Sequence, residues 1–278
     1  MSPLPEVVAS NPSESEREKN LVRIAAVIQA RMGSTRLPGK ILIEISGKPM
    51  LEHVIDRVKR SSTIEEVVIA TTKRSEDLKI VELGNRLGVN VYTGSEDDVL
   101  DRYVRAAEKV QADVIVRITG DCPLIASSVI DEMVQHHLKS GVEYTGNAAV
   151  RTFPRGLDVE VVSFAALKRS HKLGKSKHHR EHVTPFIYEN PDLFKIGNFE
   201  AFGVLRAPQF RLCVDTKEDL TLIRAIYEKF YLPDEFVQIE DVIEFLHNNP
   251  ELAKINIASE KEHLSRNLED GLRQEFAE

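Results

Sequence analysis

Four apolar, β-branched runs, "RIAAVIQA", "EEVVIATT", "VNVYTG" and "ADVIVRIT", alternate with stretches whose apolar residues recur at helical spacing. Leu51, Val54, Ile55 and Val58 share one helical face. Ile80, Leu83 and Leu87 share a second that stops at Gly88, and Val99, Tyr103, Ala106 and Val110 share a third. Nothing else in the chain constrains the fold as tightly. Strands this apolar need cover on both faces, and strand–helix alternation supplies it, so the pattern predicts an α/β chain with a mostly parallel central sheet between two helical layers, α/β/α.

The chain is 278 residues long, enough for one sizeable core and a small appended part. Residues 1–20 carry Pro, Ser, Asn and Glu without periodicity and read as a disordered tail. The main domain is expected over 21–232. Within it, 142–200 breaks the rhythm with a strand "LDVEVVS", a basic, His-rich stretch "HKLGKSKHHREHV" and a Pro-bounded "TPFIYENPD". Before it, "SSVIDEMVQHHLKSG" reads as a helix capped by Ser128 and stopped at Gly141. After it, "FRLCV" reads as a strand leading into a helix with Thr216 as N-cap and Asp219 three residues on, the pattern of a capping box. Residues 233–278 read as a charged, helical C-terminal extension.

Composition excludes several classes. No apolar run reaches the roughly 18 residues of a membrane span, and the N-terminus lacks the basic start and apolar centre of a secretory signal, so a cytoplasmic protein is expected. Cys122 and Cys213 show no metal-ligand spacing and read as two packed thiols. A net charge of −7 argues against a nucleic-acid surface.

Against that acidic background, "IQARMGSTRLPGKIL" places Arg31, Arg36 and Lys40 on a loop with Gly33, Ser34, Thr35, Pro38 and Gly39, directly after the first strand. Glycines let a backbone approach a ligand, its N–H groups can face phosphate oxygens, and the three cations add charge. The loop is neither a Walker sequence, since Ile41 follows Lys40, nor a dinucleotide fingerprint. A solvated basic turn is the competing reading, and position favours an anion site, because open α/β sheets bind ligands at the carboxyl ends of their strands. Asp121 follows "VIVRITG" and Asp215 follows "FRLCV", so each sits just past an apolar run. Beside a polyphosphate, two carboxylates suit Mg²⁺, which takes a few hard oxygen ligands from protein and the rest from phosphate and water. A turn or capping role is the alternative for each. If both were bare metal ligands they would repel one another, and Asn at either position would hold or raise stability.

Taken together, "IQARMGSTRLPGKIL…GKPMLEHVIDRV", "TGDCPLI" and "VDTKEDL" resemble the cytidylyltransferases that make CMP-activated sugars, the CMP-KDO and CMP-acylneuraminate synthetases. The resemblance spans residues 22–230. "FPRGLDVEV", "REHVTPFIYENPD" and "RLCVDTKEDLTLIRAIYE" are most like the spore-coat polysaccharide biosynthesis subgroup, sometimes labelled glycosyltransferase. It implies a Rossmann-like nucleotide-diphospho-sugar transferase fold. It also implies CTP and a sugar acid as substrates, Mg²⁺ as cofactor and a homodimer, with residues 142–200 serving the sugar site and the dimer contact. Arg31, Ser34, Arg36 and Lys40 match the family's triphosphate loop, Asp121 and Asp215 its metal-binding aspartates, and Thr71 and Thr72 its cytosine-reading region. Thr119 stands where KDO enzymes carry Gln before Gly-Asp, which argues against KDO itself as the sugar.

A 2-keto acid sugar offers a carboxylate, for which an Arg fork is the natural partner. Arg155 and Arg180 are candidates, with His182 as a hydrogen-bonding neighbour. His178 and His182 have i, i+4 spacing but no third metal ligand in sight, and the whole basic run also reads as a solvated loop. The expected activity is transfer of CMP from CTP to a 3-deoxy-2-ulosonic acid, with catalysis by Arg31, Lys40, Asp121 and Asp215. A nucleotide-sugar-dependent glycosyltransferase and a non-catalytic nucleotide-binding protein are the alternatives.

Overall fold

The computed structural model describes residues 22–232 and 235–261. The tail expected over residues 1–20 lies outside them, as does the last part of the C-terminal extension. Ile24–Gln29 (β1), Glu66–Thr72 (β4), Asn90–Gly94 (β5) and Val114–Thr119 (β6) form the parallel half of a seven-stranded sheet. Tyr144–Gly146 (β7), Glu160–Ser163 (β8) and Ile196–Asn198 (β9) complete it in the order β5-β4-β1-β6-β8-β7-β9. β8 runs against its neighbours β6 and β7, while β7 and β9 are parallel. A short hairpin of Glu44–Ile45 (β2) and Lys48–Pro49 (β3) stands apart. The sheet is therefore mostly parallel, in a Rossmann-like arrangement.

Strand alternation explains the three layers. Ala26 and Ile28 of β1 point into one core while Ala25 and Val27 point into the other, because successive side chains leave a strand on opposite faces. The first core is closed by Met50–Val58 (α1), Leu78–Arg86 (α2) and Ser127–Ser140 (α4), together with Lys217–Phe230 (α8) and Ile239–Asn248 (α9). The second is closed by Val99–Lys109 (α3) and Phe164–Leu173 (α5). The helix α9, in the stretch read as an extension, buries Val242, Ile243 and Leu246 in the first core. Two short helices, Lys177–His182 (α6) and Pro185–Tyr188 (α7), follow α5, and Pro250–Ala253 (α10) follows α9.

Two local expectations change. Helix α4 has Ala126, not Ser128, at its N-cap position and no side-chain cap there, although it stops at left-handed Gly141 as expected. "FRLCV" is extended but makes one isolated bridge, Arg211 to Arg155, instead of joining the sheet. Its backbone is held by loops: Leu212 N–H donates to Arg155 O at 2.6 Å and Val214 N–H to Asp121 O at 2.9 Å. Gly156 permits this threading, for a Cβ there would stand 2.6 Å from the Leu212 carbonyl carbon.

Candidate active site

The chain reverses its direction of travel across the sheet at β1, with β4 on one side and β6 on the other. Such a switch point leaves a crevice beyond the strand ends. Here the crevice encloses about 600 Å³ and is lined by the ends of β1 and β6, the loop from Arg31 to Lys40, Asp121 and Asp215. Gly120 lets the two strand ends close up, since a Cβ there would meet Gln29 O at 3.0 Å. A smaller cavity of about 260 Å³ beside α1 and the end of α8 touches none of those strand-end residues.

The loop is braced by its own hydrogen bonds. Ser34 N–H and Gly39 N–H both donate to Met32 O, Leu37 N–H reaches Ser34 Oγ at 3.4 Å, and Gly39 takes the left-handed φ of 68° that starts the turn carrying Lys40. Beneath it, fully buried Asp77 accepts Met32 N–H at 2.7 Å and the Thr72 hydroxyl. Thr72 thus supports the loop from below. Thr71 is also fully buried, and neither threonine lines the crevice expected to hold a base. The physical reason is that the sheet is covered on both faces, so these adjacent residues, pointing to opposite sides of the strand, are each buried.

Lys40 is where the site converges. Its Nζ donates to Asp121 Oδ2 at 2.6 Å, Asp215 Oδ1 at 2.8 Å and Val214 O at 2.8 Å. Arg36 Nη2 adds a 3.0 Å pair to Asp215 Oδ1, while Arg36 Nη1 is buried without a partner and is a donor that an incoming anion could satisfy. Arg211, which sequence reasoning missed, holds Asp215 Oδ2 at 2.6 Å and is itself gripped by Asp219 and Glu260. Burial on its own would raise the Asp215 carboxyl, but Lys40, Arg36 and Arg211 reverse this and hold it well below the usual carboxylate range. Burial would likewise lower the Lys40 ammonium, and Asp121 and Asp215 reverse that too, raising it. The expectation that Asn at either aspartate would hold or raise stability is corrected: cations already compensate the repulsion, so neutralising one carboxylate breaks ion pairs.

Two carboxylates meeting at one positive centre fit a divalent cation by their donor chemistry, with the ammonium as stand-in. No cluster of three or more His, Cys, Asp or Glu suited to a metal occurs among the described residues, so other ligands would have to come from phosphate and water. Cys122 is buried with Sγ 3.1 Å from Thr119 Oγ1, and burial pushes its thiol up, as expected for packing.

The other end of the crevice differs from expectation. His182 lines it, together with Lys177, Glu181, Arg102 and Arg117. Arg155 does not line it: its guanidinium is committed to Glu260 through three contacts of 2.9–3.1 Å. Arg180 is paired with Asp98 at 3.2 Å and also stands outside the lining. His178 and His179 both turn to Glu189, at 3.3 and 2.9 Å. Arg31 is half exposed and pairs with Glu96 at 3.4 Å. Arg117 and Arg102 had a sequence signal, a charge inside the apolar run "VIVRIT" and a charge on the buried stripe of α3.

Comparison with known proteins agrees with this geometry. A family model described as cytidylyltransferase matches residues 25–260. An uncharacterized protein of Methanocaldococcus jannaschii is 43% identical over 235 residues, covering 84% of this chain and 95% of that one. The spore coat polysaccharide biosynthesis protein SpsF of Bacillus subtilis is 37% identical over 236 residues, covering 83% and 96%. The solved structure of a cytidylyltransferase from Leptospira borgpetersenii superposes with a TM-score of 0.78 at 36% identity, covering 84% of this chain and 97% of that one.

Proposed function

Because the chain belongs to the cytidylyltransferase family, we propose that it transfers CMP from CTP to a 3-deoxy-2-ulosonic acid and releases pyrophosphate. The observation that carries this reading is the meeting of Arg36, Lys40, Asp121 and Asp215 within hydrogen-bonding distance at the switch point of the sheet. In the reaction, the anomeric hydroxyl attacks the α-phosphorus, the new oxygen–phosphorus bond replaces the bond to pyrophosphate, and the hydroxyl proton leaves to solvent. Little covalent help is needed, so the residues act by position and charge. Arg31, Ser34, Arg36 and Lys40 bind the β and γ phosphates and stabilise the departing pyrophosphate. Asp121 and Asp215 would hold Mg²⁺, which supplies charge neutralisation at the α-phosphate. Lys177, Arg117 and His182 line the far end, where Lys177 would offer a sugar carboxylate a cation, the Glu160-paired Arg117 adds a second positive group and His182 a hydrogen-bonding ring.

The likeness to a spore coat polysaccharide biosynthesis protein supports a surface-polysaccharide role. A pyrophosphate-release screen with CTP, Mg²⁺ and a panel of 2-ulosonic acids tests the reading. Release that requires both CTP and one sugar acid is expected. Activity only on a nucleotide sugar with an acceptor would overturn it.

A further inference from the structure

Lys40 is asked to do two things that its observed contacts make incompatible. As a phosphate ligand it needs N–H groups to spare, yet an ammonium has three and all three are given to Asp121, Asp215 and Val214. As metal ligands the aspartates need open oxygens. Those of Asp215 are already engaged by cations, Oδ1 by Lys40 and Arg36 and Oδ2 by Arg211.

We propose that Lys40 is a resident cation that occupies the metal position in the nucleotide-free protein and makes metal binding conditional on a triphosphate. The proposal rests on the cytidylyltransferase reading of this site. An incoming triphosphate offers Lys40 new anionic partners in the same crevice, and the ammonium moves to them, leaving the carboxylate oxygens to a divalent cation. Lysine suits this exchange. Its charge is a compact point on a flexible stem that follows left-handed Gly39, whereas the Arg211 fork, clamped by Asp219 and Glu260, holds Asp215 in place throughout. Without nucleotide, a metal ion must displace an ion-paired ammonium in a site that also holds two guanidinium groups.

The test is Mn²⁺ binding without nucleotide, followed by the free-ion electron paramagnetic resonance signal, for the whole protein and for Lys40→Met, Lys40→Gln and Lys40→Arg. Both neutral variants should bind Mn²⁺ about tenfold or more tightly than wild type, within the range typical of coupled sites. Lys40→Arg, which keeps the charge, should stay near wild type. Mg²⁺ alone should also raise the melting temperature of the neutral variants much more than that of wild type, and Asp121→Asn added to Lys40→Met should abolish the gain. The second neutral variant keeps the test open if the first fails to fold. Equal or weaker Mn²⁺ binding in both neutral variants, or an equal gain in Lys40→Arg, would overturn the proposal even with Mg²⁺-dependent CTP turnover intact. Absence of any pyrophosphate release from CTP in wild type would instead count against the underlying reading.

Discussion

The two ends of the crevice use the same residue types to opposite effect. At the end formed by β1, β6 and the loop, Lys40 and Arg36 are paired with carboxylates that themselves line the crevice, so a ligand can exchange partners with them. Arg155 and Arg180, the cations expected at the other end, are paired with Glu260 and Asp98; none of the four lines the crevice, and Glu260 stands behind Asp215 through Arg211. Arg117 does reach the crevice, but its guanidinium is tied to Glu160, which also accepts Tyr144 and Thr184 hydroxyls at 2.6 Å each. A cation in a motif thus says little about a ligand until its counter-ion is located.

The largest effect that would break this contrast is at the aspartates. Asp121→Asn or Asp215→Asn should lower Mg²⁺-dependent turnover by about 100-fold or more. Each should also lower the apo stability by about 1–3 kcal/mol, because the cations lose a charged partner. Turnover alongside the apo melting temperature checks both, and near wild-type turnover in both variants would remove the metal role. Next, Arg31→Ala should weaken CTP binding about tenfold and CMP binding little, as expected of a charge facing the outer phosphates. The melting temperature should barely move, since a half-exposed pair with Glu96 is worth about 0–1 kcal/mol. Equal weakening of both nucleotides by titration would confine Arg31 to the α-phosphate.

Acid sharpens the same contrast. The Asp215 carboxyl is held low in the folded protein, so its stabilisation is complete above the ordinary carboxylate value of about 4 and is lost as pH falls from there through the folded value. Urea unfolding from pH 7 to pH 3 should therefore show the gap between wild type and Asp215→Asn narrowing only in acid. A gap that stays constant would mean that charge is not its source. The smallest expected change in activity is at Arg155→Ala, which should leave turnover within about twofold while costing about 1–3 kcal/mol of stability through the lost Glu260 contacts. A tenfold rise in the sugar acid KM at unchanged stability would return Arg155 to the sugar end.

The elements were legible in the sequence wherever the determining interactions are local. Period-2 and period-3.6 apolar patterns place β1, β4, β5, β6 and helices α1 to α3, since each residue's burial follows from the face on which its neighbours put it. The Thr216 and Asp219 capping box closes as its spacing indicates, for both partners lie within one turn. The loop's composition marked it as a candidate anion site for the same reason, its glycines and cations being contiguous.

Only the tertiary structure decided which charges meet. Lys40 finds Asp121 and Asp215 at separations of 81 and 175 residues, and Arg155 finds Glu260 at 105. Thr72 is consumed by Asp77, "FRLCV" is threaded between loops instead of joining the sheet, and β8 runs opposite to its neighbours. Backbone propensity depends on adjacent residues and can be read along the chain, whereas an ion pair depends on distance in space and on the water excluded around it, both of which exist only once the sheet has set the order of its strands.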